Sequence, residues 1–432
     1  MRVHKRGVKA LTAVAAMALG VSGLAACGGG GSSSNDKTVE IWMSVDQPVF
    51  DGLKKDMTAK AKDAGITLKM SKVTDINSLI MTKIQANDAP DIALIPQPGV
   101  VANIVKRNKA IALDDVVGDK VKSNMLPGAL EAGTIDGKLY GLLSSANVKS
   151  LVFYNKKAWD KAGYKAPTSI AELDALTQKI KDDGHVPWCM GIESDTATGW
   201  PATDWFEELV MKYGGADKYN EWVTHKIPFD DPVVKQAGEE FEKLVLTDGN
   251  HIGDGKTIAS TGFGDAENSM WKSDPGCWLF KQGSFITAFF PEDVVKNFAT
   301  DVGVFGFPSA NAGEKAPVLG GGDLAVLLND SDAAKTGMKL LAESDTGNSA
   351  AANGSSYLSP HKDFDSSLYT NPVIKVSDQV VKNGSELLFD GSDQMPGEVG
   401  AGSFWKQVTS WITGQQDLDA TLKNIEDSWP TS

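Results

Sequence analysis

Little in this sequence of 432 residues is equipped to make or break a covalent bond. Histidine is scarce and scattered, at His185, His225, His251 and His361 in the body of the chain, with no HExxH pair to hold a catalytic metal. No GxSxG elbow presents a serine nucleophile. The stretch "GNHIGDGKT" (Gly249 to Thr257) approaches a phosphate loop, but five residues rather than four separate Gly249 from Gly255. The same stretch approaches a calcium loop with Asp248 and Asn250. However, Ile252 stands where an oxygen ligand belongs and Ala259 where the bidentate glutamate should be. Acidic residues are plentiful, so a hydrolytic carboxylate pair is not excluded by counting, yet nothing singles out two of them. A basic block is also lacking. The formal net charge of −14 makes the chain a poor partner for nucleic acid or an anionic lipid surface. No catalytic residue, cofactor or metal is therefore expected.

What is present begins with a targeting segment. Arg2, Lys5, Arg6 and Lys9 precede an apolar, small-residue run from Ala10 to Ala26, the pattern of a signal peptide over residues 1–26. The run is short and Ala/Gly-rich for a membrane span, and no second span follows. Leu24-Ala25-Ala26-Cys27 resembles the lipobox of bacterial lipoproteins, which implies lipidation of Cys27. Residues 27–36 continue as "GGGGSSSND" after that cysteine and read as a flexible tether. Cysteine is otherwise rare. Cys189 and Cys277 form an even pair in an exported chain, which suggests one disulfide; two buried free thiols are the alternative. The remaining length is more than one core usually spans, so two domains are expected.

The body alternates between two periods. "TVEIWMSVD" (38–46), "GITLKMSKV" (65–73) and "PDIALIPQP" read as strands, with helical spacing over about 49–64 and in "DINSLIMTKIQAN". Such alternation argues for a parallel α/β sheet whose strand-end loops face a ligand crevice. Those loops carry Ser44, Asp46 and Gln47, then Gln97. Farther on, "SLVFYN", "GSFITAFF", "DVGVFGFPSA" and "LAVLLND" are strand-like. "SIAELDALTQKIKDDG" is an amphipathic helix with Ser169 as N-cap and Gly184 beyond its end. "FWKQVTSWI" and "LDATLKNIEDSW" are helical.

Three blocks in order, "GKLYGLLSSANVKSLVFYNKKAW" with "AGYKAPTSIAEL", "PWCMGIESDTATGWPATDW" and "FDGSDQMPGEVGAGSFWKQV", resemble the extracellular solute-binding proteins of carbohydrate ABC transporters. The last two look like the α-glucoside-binding branch. The resemblance implies a two-lobe, periplasmic-binding-protein-like α/β fold with a ligand cleft between lobes and hinge crossovers. It would place residues 37–146 and 301–346 in an N-terminal lobe, and 147–300 and 347–432 in a C-terminal one. It further implies a monomeric receptor, lipid-anchored on the extracellular face of the bacterial cell membrane. That receptor would capture an oligosaccharide and deliver it to ABC permease transmembrane subunits. An exported carbohydrate-active enzyme working on α-glucans is the alternative.

A sugar offers an apolar C–H face and a rim of hydroxyls, so its site needs aromatic plates beside carboxylate, amide or lysine groups. The stretch "ATGWPATDWFEELV" supplies Trp200, Asp204 and Trp205, and the C-terminal block supplies Asp393, Phe404 and Trp405. Asn147 and Lys149 stand at the expected lobe crossover, Phe263 in "GFGD" and Asp323 in "GGGD". Each tryptophan could equally be a core residue, because tryptophan is well buried on average.

Overall fold

The computed structural model describes residues 37–430. Strands β1 (Thr38–Met43), β2 (Thr67–Lys72) and β3 (Ile92–Ile95) form where β-branched and apolar residues crowd, and β1 pairs in parallel with both neighbours. The helices between them start on side-chain caps. Asp46 accepts from the Val49 N–H at 2.8 Å to open the helix Gln47–Asp63. Ser169 likewise caps the helix Ile170–Asp182.

The chain then leaves this sheet. Strand β4 (Gly141–Val148) belongs to it, while β5 (Leu151–Asn155) pairs antiparallel with β6 (Phe280–Gln282) and β7 (Val302–Gly306) in a second, three-stranded sheet. It returns in β8 (Val318–Leu327), which runs antiparallel to β3 and β4, and ends the sheet with β9 (Leu387–Phe389), parallel to β8. The large sheet is therefore mixed, not parallel throughout. Its return strand re-enters from the far side, so its direction is reversed. Strand 302–306, expected in the N-terminal lobe, pairs in the small sheet. The helix Asn348–Ala352, expected in the other lobe, packs on the helix Gln47–Asp63. "GSFITAFF" is a 3-10 helix over Ser284–Phe289 rather than a strand. An apolar run of that length satisfies both periods.

Two cores result. Val39, Ile41, Ile92, Leu94, Leu324 and Val326 pack around the large sheet. The other core is aromatic, with Trp188, Trp205, Phe206, Trp222, Phe241 and Phe404 around the helix Trp200–Val223. Every residue of that helix from Pro201 to Lys212 is buried, and it kinks at Gly215, whose φ is 70°. Gly199 precedes it at φ 117°, where a Cβ would stand 2.5 Å from the Trp405 carbonyl oxygen. Only glycine lets the helix start there. Cys189 and Cys277 form a disulfide, as the even pair suggested.

Candidate functional site

The carboxyl ends of β1, β2 and β3 open onto a cavity of about 500 Å³. Ser44 and Asp46 from the first loop, Lys72 and Thr74 from the second and Pro96 from the third line one side, with Asn147 and Asp323 at its base. Phe285 and Phe289 line the cavity as well. Behind them Phe263 sits 5.0 Å from both the Trp200 and Phe289 ring centres, and Phe285 lies 5.9 Å from Trp200. The four rings make an aromatic wall. Phe289 is 48% exposed, which is high for a phenylalanine that merely packs. A further hollow of about 370 Å³ continues past Asp46, Ala288 and Ser356 toward Thr370 and Asn371.

Asp323 reaches the cavity because its strand is made of glycine just before it. Gly322 has φ 149°, and a Cβ there would lie 2.0 Å from the Ser145 carbonyl oxygen. The pairing of β8 with β4 also shifts register between Asp323 and Leu324. The Ser145 hydroxyl donates to the Asp323 carboxylate at 2.9 Å. Burial pushes this carboxyl up to about 6, while the Ser145 hydroxyl pulls it down and Asp46 adds to the upward push.

Beside the aromatic wall lies a buried charge network. Lys149 bonds Asp204 at 3.0 Å and also Asp390, and its ammonium lies 5.3 Å from the Trp200 ring centre. Burial opposes the Lys149 charge, but Asp204 and Asp390 outweigh it and hold the ammonium well above the usual lysine range. Burial likewise pushes Asp390 up, yet Lys149, the Ser392 hydroxyl and the Asp393 N–H hold it down at about 2. For Asp204 burial wins, and its carboxyl sits at about 7. Asp204, Glu207 and Asp390 bring one oxygen each within 4.8 Å of one another, a spacing that suits a metal ion. Lys149 and the N–H groups of Gly391 and Ser392 already answer those charges. Asp393 accepts from the Gln97 amide at 3.1 Å, which ties the loop after β3 to the segment after β9.

Several expected ligand groups lie elsewhere. Trp205 is 2% exposed and packs edge-on to Trp188 and Phe307, and Phe404 is fully buried among Phe206, Trp222 and Phe229. Both are core residues, because their helices turn them away from the cavity. Gln47 is exposed and donates to Asp51 of its own helix. Trp405 is half buried beside Gly199 and does not line the cavity. Ser44, Asp46, Asn147 and Asp323 line the cavity, while Trp200 and Phe263 do not line it but lie in ring contact with Phe285 and Phe289, which do. Asp204, Lys149, Asp393 and Gln97 gather in the adjacent network. Sequence reasoning missed Phe285 and Phe289, which lie in an apolar run that reads as a strand. The near-miss loop is structural: Asp254 and Thr257 cap the helix Gly255–Ser260, and the Asn250 amide donates to the Lys243 and Leu244 carbonyls.

Comparison with known proteins agrees with this geometry. The family described as "Bacterial extracellular solute-binding protein" matches residues 55–373. The alpha-glucosides-binding periplasmic protein AglE of Rhizobium meliloti (strain 1021) is 34% identical, over 90% of this chain and 85% of its own. The osmoprotective compounds-binding protein GgtB of Synechocystis sp. is 34% identical, over 85% and 86%. Among solved structures, maltose-bound MalE3 of T. maritima superposes with a TM-score of 0.67 at 18% identity, over 90% of this chain and 98% of that one. That likeness fixes the two-lobe fold. A crevice at the strand ends, aromatic rings among its lining and a family match over most of the chain agree, and the chain belongs to the bacterial extracellular solute-binding proteins of ABC transporters.

Proposed function

We propose that this receptor captures an oligosaccharide of the α-glucoside class between its lobes and hands it to an ABC permease without altering it. The observation that carries this is one cavity lined both by Phe285 and Phe289, which Trp200 and Phe263 back in ring contact, and by Asp46, Asn147 and Asp323. Aromatic faces suit the C–H side of a pyranose, and carboxylate and amide groups suit its hydroxyls. The name of AglE supports the choice of α-glucosides. One lobe would gather residues 37–148, 318–371 and 387–389, and the other residues 151–306 and 391–430. A sugar touching both sides would favour the closed arrangement by its extra contacts. A thermal-shift screen over di- and trisaccharides, followed by calorimetry and a product assay, tests the reading. Stabilisation by an α-glucoside that is recovered intact supports it. No response to any sugar, or turnover, would sink it.

The site also sets a pH dependence. At neutral pH the Asp323 carboxylate accepts ligand hydroxyls, and below about pH 6 it takes up a proton. Losing a charged acceptor costs about 1–3 kcal/mol, so affinity should fall about tenfold between pH 7.5 and 5. Apo stability should respond with the opposite sign. A folded carboxyl raised above its ordinary value favours folding in acid, and that contribution is lost as pH rises through about 6. Calorimetric titration across this range checks the effect, and Asp323→Asn should flatten it.

Processing before Cys27 would leave the protein lipid-anchored outside the cell membrane. Leu24 to Cys27 lie outside the described residues. Among the described residues no helix is long and apolar enough to cross a membrane. A Cys27→Ala variant should appear in the medium or remain unprocessed, and its full retention on membranes would argue against the anchor.

A further inference from the structure

The helix Trp200–Val223 begins with the aromatic plate and then buries a polar stripe at helical spacing: Asp204, Glu207, Glu208 and Lys212. Buried charges of this kind are costly unless each one is answered. Here they are answered by segments where the chain leaves or enters the large sheet. Glu208 accepts from the Ser150 hydroxyl at 2.8 Å and pairs with Lys212 at 3.1 Å and Lys281 at 3.6 Å. Ser150 in turn accepts from the Leu319 N–H at 2.8 Å, and Lys212 donates to the Pro317 carbonyl at 2.7 Å. Glu207 takes the third segment. It accepts from the Gly391 N–H at 2.8 Å and the Ser392 N–H at 3.1 Å, while the Tyr219 hydroxyl donates to the Phe389 carbonyl at 3.0 Å.

The third segment bears on the ligand. It is the turn in which Asp390 pairs with Lys149 and Asp393 accepts from Gln97. Gln97 stands at the mouth of β3, and the segment after β9 meets it from the other side. We infer that Glu207 is a positioning residue for ligand capture: it fixes the Asp390–Asp393 turn so that Asp393 meets Gln97 and ties the two proposed lobes together beside the cavity. Trp200, on the same helix, and Asp393 thereby keep a set relation. Glu207 lines no cavity and acts through its neighbours. The inference rests on the sugar-capture reading for its affinity arm alone.

Two variants test it. Glu207→Gln replaces one of the two carboxyl oxygens that accept from Gly391 and Ser392 with an amide, and Glu207→Asp keeps the carboxyl while shortening its reach to the two N–H groups, which preserves a folded variant if the first does not fold. Without sugar, the Gly391 and Ser392 amides should exchange hydrogen at least tenfold faster in either variant. In Glu208→Gln, which loosens other segments, they should not. With the best saccharide from the screen, either Glu207 variant should raise Kd about tenfold at a temperature where it is fully folded. Combined with Asp393→Asn, it should add little beyond the larger single effect, because residues acting through one another are not additive. A lowered melting temperature with unchanged Kd, or fully multiplicative effects with Asp393→Asn, would overturn the inference. Unchanged amide exchange at Gly391 and Ser392 would overturn it whether or not any sugar binds.

Discussion

Replacing Lys149 with methionine should cost the apo protein about 3–5 kcal/mol at pH 7.5, because breaking a buried ion pair from one side leaves the other side uncompensated. Two partners are stranded here rather than one. The side chains of Asp204 and Asp390 are 4% and 3% exposed, so water cannot take over from the lysine. The loss carries its own signature in pH. Asp204 already sits at about 7 with Lys149 in place, pushed up by burial. Without the ammonium Asp204 is driven higher still and Asp390 loses the partner that holds it down, so burial pushes it up too; a carboxyl raised in the folded state favours folding in acid. Lys149→Met should therefore recover much of its stability between pH 7.5 and 5. Urea unfolding at the two pH values measures this. A cost under about 1 kcal/mol at pH 7.5 would show that the pair is screened as a surface pair is.

Trp200→Ala and Trp205→Ala should fail in opposite ways. Trp200 stands half buried in the aromatic wall, against Phe263 and Phe285 and under the Lys149 ammonium. Its loss should weaken binding of the best saccharide by about 2 kcal/mol or more, the scale of a buried aromatic hot spot. The apo melt should shift far less. Trp205 is enclosed by Trp188, Phe241 and Phe307, and its removal should cost about 3–5 kcal/mol of stability. Calorimetry beside apo melts separates the two. Unchanged affinity with a large apo loss for Trp200→Ala would place that residue in the core and remove the main support for the binding wall.

The same pair shows what the sequence could convey. A tryptophan before a proline in a turn-like stretch marks itself as unusual, and Trp200 does belong to the wall. Trp205 follows within the same stretch and looks no different in composition. What separates them is rotation around a helix that is buried on every side, and that burial is invisible from sequence. Asp204 stands out only as a candidate ligand group and Glu207, Glu208 and Lys212 not at all, whereas all four are buried and meet segments from far along the chain. Strands β1, β2 and β3 and the cap at Ser169 were legible because alternation and capping are local signals. The direction of β8 was not, since strand direction depends on where the chain has been. Phe285 and Phe289 were hidden by an apolar run that fits a strand as well as a helix.

The place of β8 governs the order in which the molecule can be made. It lies between β3 and β4, so these two strands have no partner across that gap until residues 318–327 arrive. Strand β9 must then wait for β8. A chain emerging from its N-terminus therefore has the beginning of a sheet in hand early but cannot seal it until about three-quarters of its length exists. Pairing across that gap is long-range and must wait for the late strand, so the sheet cannot close while most of the chain is still being made. For a polypeptide destined to be threaded outward, the delay is useful: it remains translocatable until its late strand arrives.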